Sequence, residues 1–191
     1  MHTIIRAARL GAALVLAALA SAGSYAADAP SQPGFWQTPA IEGVGKMHPL
    51  PQAAYRPNKR ETYKVVFSVT RGASKPGEIN PGLEHVARAV NLYVSAGVPL
   101  GHLKFVAILY GPATDAALDD AHYRERFAAD NPNLALIRTL RKTGVDVAVC
   151  GQAVAEHGYH YDWIAPEVTV ALSALTTITV LEHQGYALMP M

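Results

Sequence analysis

The sequence predicts an α/β fold: a single three-layer domain over residues 63–191 with a mostly parallel sheet of about five strands, preceded by an extended proline-rich arm over residues 27–62. Short apolar segments alternate with segments whose apolar residues recur at helical spacing, and this alternation is typical of helices packed on a parallel sheet. Two of the helical segments begin with an Asn-Pro pair. Asparagine caps a helix and proline fits its first turn, so these pairs support the helix assignments.

The predicted elements follow one another with short connections. In chain order they are a strand at Tyr63–Val69, a helix from Asn80 to Gly97, a strand at Leu103–Tyr110, a helix from Asn131 to Gly144, a strand over 145–149 that leads into Cys150, a helical turn over 151–157, a short strand over 166–170, a helix over 171–184 and a strand over 186–189. Residues 113–130 are expected to form a loop with short helical pieces. The strand–helix–strand units should be parallel, which places Thr70, Gly111 and Cys150 at one edge of the sheet.

The last predicted helix has a continuous apolar face. We expect this face to be buried against the sheet, because its members recur at helical spacing. The residues of this face are Leu172, Leu175, Ile178 and Leu181.

Residues 1–26 have the pattern of a secretory signal peptide. Two arginines near the start precede an uncharged apolar run from Leu10 to Ala20, and Ser24 and Ala26 offer small side chains at the positions that a signal peptidase reads. We therefore expect a periplasmic or secreted protein that keeps no membrane span after cleavage. An uncleaved membrane anchor is the alternative, although the apolar run is short for a bilayer.

The charge balance excludes nucleic acid as a partner class. The chain has 16 basic and 15 acidic residues, and removal of the two arginines before residue 27 leaves a net charge of −1. No cluster of Lys and Arg provides a local basic patch, and such a patch is what the phosphate backbone of nucleic acid requires.

The arm is rich in proline and glycine, which excludes a regular helix or strand. It also carries apolar residues that are unusual in a solvated linker. We expect it to lie extended over the domain or over a neighbouring subunit, with Phe35 and Trp36 as the anchor. A flexible linker is the alternative.

Cys150 is the only cysteine, and it is the candidate catalytic residue. A thiol at the end of a strand and the start of a helix sits where open α/β sheets place their binding crevices, and helix amides there favour a thiolate. An exported protein with one cysteine cannot form an internal disulfide. The thiol is therefore reactive, paired between chains, or buried and inert.

Two histidine-containing patterns invite a metal-site interpretation. Asp119, His122 and Arg126 lie in a segment of mixed charges, which more often marks a solvated face. The spacing of Cys150 with His157 and His160 does not match a known zinc motif. We therefore predict no metal ion and no cofactor.

Six short segments occur in a characteristic order: Leu109–Ala113, Gly144–Val145, Val149–Gln152, Pro166–Val168, Ser173–Leu175 and Gln184–Ala187. In this order and spacing, residues 63–191 resemble the DsrE/DsrF-like sulfur-relay family. Residues 35–39 and 46–48 look like an extension found on its exported members.

The resemblance implies a parallel α/β sandwich that assembles into homotrimers or hexamers. It also implies a cysteine that receives and passes on sulfane sulfur as a persulfide, a role that falls on Cys150. Its partner would be a sulfur donor or acceptor protein or a small sulfane-sulfur compound. Some members place a histidine where this chain has Tyr110.

The candidate residues around Cys150 fall into two groups. His157 is the candidate general base, because histidine titrates in a suitable range. The candidate binding residues are Tyr110, Gly111, Gly151, Gln152 and His160. A carrier of sulfur is expected rather than a turnover enzyme, and the alternative is a non-catalytic oligomeric scaffold in which Cys150 is structural.

Overall fold

The computed structural model describes residues 30–191, in which five parallel strands form one sheet with helices on both faces. The signal peptide predicted for residues 1–26 lies outside the described residues. The strands are β1 (Tyr63–Val69), β2 (Leu103–Leu109), β3 (Asp146–Cys150), β4 (Thr169–Ala171) and β5 (Ala187–Pro190). The helices are α1 (Pro81–Ser95), α2 (Asp120–Phe127), α3 (Leu134–Lys142), α4 (Gly151–Glu156) and α5 (Ala174–His183). Short 3-10 segments lie at Leu100–His102, Gly111–Ala117 and Tyr161–Trp163.

The sheet has the strand order β4-β3-β2-β1-β5, and every neighbouring pair of strands is parallel. The predicted α/β fold is therefore confirmed. The sheet is wholly rather than mostly parallel, because each strand is reached from the previous one through a helical connection.

The two faces of the sheet are covered unequally. On the face against α1 and α3, Phe67 and Phe105 pack edge to face in the larger core. The opposite face, which we call the α5 face, carries a smaller cluster that consists of Val66, Ile108, Ala148, Cys150, Ala153 and Ala174. Alternation of side chains along each strand assigns these residues to opposite faces. Cys150 therefore belongs to the more thinly covered face.

The first Asn-Pro pair begins a helix as predicted, but the second does not. The Asn80 side chain accepts hydrogen bonds from the N–H groups of Gly82 and Leu83 at 2.9 and 3.3 Å, which caps α1. Helix α3 begins at Leu134 instead of Pro132. The reason is that the Asn131 amide donates to two buried carbonyls, those of Ala116 and Leu118, and so ties down the preceding loop.

The last part of the chain also departs from the predicted bounds. Residues 169–171 form β4, so α5 begins at Ala174, with Ser173 as its cap. Ile178 and Leu181 pack against the α5-face cluster as expected. Leu172 and Leu175 do not, because their side chains are 72% and 81% exposed.

The arm packs on α1 of its own chain. The fully buried Asn91 side chain accepts from the N–H groups of Ala40 and Ile41, both at 2.9 Å, and donates to the carbonyls of Val44 and Gly45. These bonds exclude the flexible-linker alternative for this segment. This contact is not predictable from the sequence, because a single asparagine on a helix gives no pattern that indicates its partners.

The buried anchor of the arm differs from the predicted one. Ile41 and Met47 are buried, whereas Trp36 is half exposed. Phe35 and Trp36 instead pack with His48 on the outside of the arm. Among residues 30–191, no helix has both the length and the apolar character needed to cross a membrane.

Candidate functional site

Cys150 lies at the carboxyl end of β3 and is the residue that precedes α4. On the next strand, Ala171 of β4 lies beside it in register. The following residue, Gly151, allows this close approach, because a Cβ there would be only 2.9 Å from the Ala171 carbonyl oxygen. The glycine after Cys150 thus allows the edge strand β4 to pack directly against the start of α4.

The Cys150 sulfur has two polar neighbours. The main-chain N–H of Ala153 points at Sγ, with nitrogen and sulfur 3.4 Å apart, and the Ser173 hydroxyl oxygen lies 3.9 Å from Sγ. The Cys150 thiol donates to Ser173 Oγ, which also accepts from the N–H of Leu175 and so caps α5. When Cys150 is a thiolate, the hydroxyl proton of Ser173 is available to the sulfur. Hydrogen-bond donors around a sulfur atom stabilise its anionic form.

The Cys150 side chain is buried, with 5% of its surface exposed. Its apolar neighbours are the α5-face residues of the central strands, including Ile108 and Ala148. The expected edge position is therefore present, but the sulfur is covered. The connection between β4 and α5, residues 172–173, contributes to the cover through Ser173.

Tyr110 lies on the same face as Cys150. Leu109 pairs with Val149 across the two strands, so Tyr110, one residue further on, is level with Cys150. Its side chain packs against the α5-face cluster. Its hydroxyl oxygen lies 2.8 Å from Ser68 Oγ.

Two hydroxyl groups at this site, those of Ser68 and Ser173, are not among the residues predicted from the sequence. Ser68 is the only polar residue in the buried part of β1, and alternation along that strand places it on the Cys150 face. The predicted helix over 171–184 places Ser173 in its interior, whereas the structure makes Ser173 the cap of α5. The pattern of a serine immediately before a helical run is a cap signal that could have identified it.

An open depression of about 260 Å³ lies beside Cys150. The Gln152 amide donates to the Leu172 carbonyl at 3.3 Å, and the Tyr161 hydroxyl donates to the Gly151 carbonyl at 3.2 Å. These residues line the depression together with Val170 and Ala171. The candidate binding residues Gly151 and Gln152 therefore flank an accessible surface next to the buried thiol.

Gly111 stands at the end of β2, where it begins a 3-10 segment. It has a φ of +54°, a conformation that glycine adopts without strain. It therefore shapes the turn that follows Tyr110.

The candidate histidines face a different part of the molecule. His157 follows α4, and its ring Nδ1 donates to the Ala153 carbonyl at 2.8 Å. The six residues of α4 lie between it and Cys150, which separates the two residues by about 10 Å along the helix axis. His160 is exposed, and its ring lies 4.7 Å from the ring of Trp163. Neither ring is among the hydrogen-bond partners of the Cys150 sulfur.

The comparisons with known proteins place this chain in a family. Residues 63–191 match the model of the DsrE/DsrF-like family. A solved structure of a protein of unknown function from Methanobacterium thermoautotrophicum is 17% identical in sequence and has a TM-score of 0.51, and the alignment covers 68% of this chain and 99% of that one. No curated protein matches the chain. The family match spans the whole sheet and Cys150, and the chain therefore belongs to the DsrE/DsrF-like family.

Proposed function

We propose that this protein is a sulfane-sulfur carrier that holds sulfur as a persulfide on Cys150. Membership of the DsrE/DsrF-like family supports a sulfur-relay-related role at the level of the family. The observation that carries the role to Cys150 is the hydrogen bond from the Ala153 N–H to its sulfur at the carboxyl edge of the sheet. The thiolate is the form that attacks a sulfane sulfur, and the Ala153 N–H is a hydrogen-bond donor aimed at that sulfur.

The loading step is an exchange at sulfur. The Cys150 thiolate attacks the outer sulfur of a persulfide donor R–S–SH, so a new S–S bond forms to Cys150 and the donor's S–S bond breaks. The donor leaves as the thiolate R–S⁻, and Cys150 holds the outer sulfur with its proton as a persulfide. Delivery to an acceptor thiolate repeats the exchange in the opposite sense, so no oxidant or reductant is needed.

Loading requires a path to a sulfur atom that is 5% exposed. Two residues, Leu172 and Ser173, connect β4 to α5, and the Leu172 side chain is 72% exposed and adds little packing. We propose that this connection shifts to open Cys150 toward the neighbouring depression. Such a movement would break the contacts of Ser173 with Cys150 and Leu175, but it would cost little packing at Leu172.

Hydroxyl groups are the proposed donors to the persulfide. Ser173 Oγ lies 3.9 Å from the sulfur, and the Ser68–Tyr110 pair lies on the same face. These groups can stabilise negative charge on a departing sulfur. His157 lies at the end of α4 away from Cys150, and its Nδ1 donates to the Ala153 carbonyl. This position gives no support to a role as the general base for Cys150.

Self-association through the α5 face is part of the proposal. The exposed apolar side chains there are those of Leu172, Leu175, Val180 and Leu188, the last of which pairs in register with Val66 of the same face. Apolar patches of this kind mark interfaces between proteins. The resemblance that implies trimers or hexamers suggests that another copy of this chain covers the patch.

We propose that the protein is exported, to the periplasm or the exterior, on the basis of the signal-peptide pattern in residues 1–26. Expression of the full chain in a bacterial host and mass measurement of the exported form would test this. A mature chain that begins at residue 27 in the periplasmic fraction supports export, and a full-length chain retained in the cytoplasm contradicts it.

Intact-mass analysis tests the sulfur-carrier proposal. The protein is incubated with thiosulfate or polysulfide, and a gain of one sulfur atom that a reductant reverses is expected. The Cys150→Ser variant, which has no thiol, should gain nothing. An absence of gain in the wild-type protein, or an equal gain in the variant, would contradict the proposal.

The burial of Cys150 favours a second candidate function, a non-catalytic oligomeric scaffold in which Cys150 is structural. This candidate predicts that Cys150→Ala keeps the assembly and its partners. It also predicts that the thiol of the folded protein reacts with iodoacetamide no faster than free cysteine. Fast alkylation of the folded wild-type protein would exclude it.

A further inference from the structure

A second cavity, of about 350 Å³, lies on the side of the molecule where His157 is found. It is formed between α2 and the segment that follows α4. The side chains that matter here are those of His122, Glu125, Arg126, His157, Tyr159 and Trp163. Its size falls in the range of small-ligand sites.

The Asp119 carboxylate fixes the His122 ring. It accepts from the His122 main-chain N–H at 2.8 Å and from ring Nδ1 at 2.8 and 3.0 Å. Partial burial raises the pKa of Asp119, but the hydrogen bonds from His122 outweigh it, so the net pKa lies below its usual value. The ring also stacks on Trp163, with ring centres 4.6 Å apart. Nδ1 is thereby committed, and Nε2 is the nitrogen left for a ligand.

The His157 ring is committed in the same way. Its Nδ1 donates to the Ala153 carbonyl, and within residues 30–191 its Nε2 has no hydrogen-bond partner. The same holds for Nε2 of His122. Two imidazole rings that line one cavity therefore each retain one nitrogen for a ligand.

Arg126 supplies the charge. Its guanidinium lies over the Tyr159 ring, 5.1 Å from the ring centre, and it makes no ion pair with any residue that the structure describes. Burial, together with a hydrogen bond donated to Asp115 at 2.5 Å, raises the pKa of the Tyr159 phenol, so the ring under Arg126 stays neutral. Arg124, on the same helix, is instead bound to Asp130 at 2.8 Å.

The chemistry of these groups selects the ligand class. A guanidinium offers paired N–H donors that match the oxygens of carboxylates and other oxyanions. Glu125 adds a negative charge to the cavity wall, so the cavity is not uniformly positive. An anionic ligand must therefore be held by individual hydrogen-bond donors. A metal ion fits less well, because no group of three suitable side chains converges anywhere in residues 30–191.

We infer that this cavity binds a small oxyanion through the guanidinium of Arg126 and the Nε2 atoms of His122 and His157. When an imidazole carries a proton on both nitrogens, its Nε2–H donates to the ligand. The site is separate from Cys150, which lies at the opposite end of α4. It therefore does not depend on the sulfur-carrier proposal.

Fluorescence of Trp163 can report binding. Trp36 is the other tryptophan, so a Trp36→Phe background isolates the signal of Trp163, on which His122 is stacked. Sulfate, thiosulfate, phosphate and succinate are titrated separately at mildly acidic pH. A saturable change with at least one probe is expected, and the order of affinities distinguishes a carboxylate ligand from a sulfur or phosphorus oxyanion.

Two variants test the assignment of donors. Arg126→Gln should weaken binding by about tenfold or more, because charge-assisted hydrogen bonds are lost. His122→Phe keeps an aromatic ring on Trp163 but removes Nε2, and it should also weaken binding. Arg124→Gln is the matched control, since it removes a charge from the same helix outside the cavity, and it should bind as the background does.

Binding of the oxyanion probes does not require the Cys150 thiol. Cys150→Ser should bind the probes normally, so failure of sulfur loading leaves this inference intact. Circular dichroism verifies that each variant is folded. No saturable change with any of the four probes, or equal losses in Arg126→Gln and Arg124→Gln, would overturn the inference.

Discussion

At Cys150, burial and polar contacts act in opposite directions. The sulfur is covered like a core residue, yet it accepts from the main-chain N–H of Ala153 and donates to the hydroxyl oxygen of Ser173. An inert core cysteine needs neither contact, because a thiol is a weak donor and acceptor that packs as a small apolar group. The polar contacts are therefore the residue-level support for a sulfur that carries charge in part of its cycle.

Ser173 connects the chemistry of Cys150 to the stability of α5. Replacing it with alanine removes the hydroxyl near the sulfur and the cap of the helix. We expect Ser173→Ala to lower the free energy of unfolding by about 1 kcal/mol and to slow sulfur loading. Urea unfolding and timed mass measurements give the two values. Ser173→Thr keeps the hydroxyl and should retain loading; equal loading in the alanine variant would contradict the role of the hydroxyl.

At the scale of elements, Gly151 determines how closely β4 approaches α4. A Cβ at this position would be 2.9 Å from the Ala171 carbonyl oxygen, which is part of the backbone and cannot move alone. We expect Gly151→Ala to lower the free energy of unfolding by about 1–3 kcal/mol. Thermal or urea unfolding measures this change.

Gly101→Ala is the control for that variant. Gly101 has open space around the Cβ position and no positive φ, so the substitution should be close to neutral. A Gly151→Ala variant as stable as Gly101→Ala would show that β4 is loosely held and would contradict the close packing at the site.

The Asn91 side chain hydrogen-bonds the arm to α1, and the buried side chains of Ile41 and Met47 add apolar contact. Removing the Asn91 amide leaves the N–H groups of Ala40 and Ile41 without an acceptor. We expect Asn91→Leu to lower the free energy of unfolding by about 2–4 kcal/mol and to expose the arm. Limited proteolysis should then cleave within residues 30–62 before residues 63–191. An Asn91→Leu variant that is cleaved within residues 30–62 no faster than the wild-type protein would contradict this account.

Elements that depend on neighbouring residues could be predicted from the sequence, and elements that depend on contacts between distant residues could not. Strands β1, β2 and β3 and helix α1 were predicted from apolar patterns and a cap, which are local signals. The start of α3 was not predicted, because the Asn131 amide donates to the carbonyls of Ala116 and Leu118, which lie 15 and 13 residues earlier in the chain. The arm anchor was also missed, since its position depends on Asn91, about 50 residues further along the chain.

The candidate site was predicted in part for the same reason. The end of β3 located Cys150, because strand ends follow from pattern. The place of His157 could not be inferred, since it depends on the direction in which α4 leaves the sheet. His122 was considered only as a metal ligand, and its stacking on Trp163 is a contact between residues 41 positions apart.

The whole molecule has one well-covered face and one sparsely covered face. The α1 and α3 face contains the larger core, while α5 leaves Leu175 and Val180 exposed on the other. Cys150 belongs to the sparsely covered face. Self-association there would also determine which partners reach the thiol.

Leu175→Glu tests the proposed self-association. The side chain is 81% exposed, so the fold should tolerate the change, but a charge at an apolar interface should shift the protein to smaller species. Light scattering after size-exclusion chromatography measures the mass. Leu50→Glu, at an exposed apolar residue of the arm, should leave the mass unchanged. Equal masses for wild type and Leu175→Glu would contradict an interface on this face.

The most direct test of the central claim is delivery of sulfur from the loaded protein. Protein loaded with a sulfane donor is freed of the donor and treated with cyanide, which removes the outer sulfur of a persulfide as thiocyanate and leaves the Cys150 thiolate. We predict about one thiocyanate per chain from the wild-type protein, with the mass returning to that of the unloaded chain, and none from Cys150→Ser. Release of no thiocyanate from the treated wild-type protein would contradict a sulfur-carrying role for Cys150.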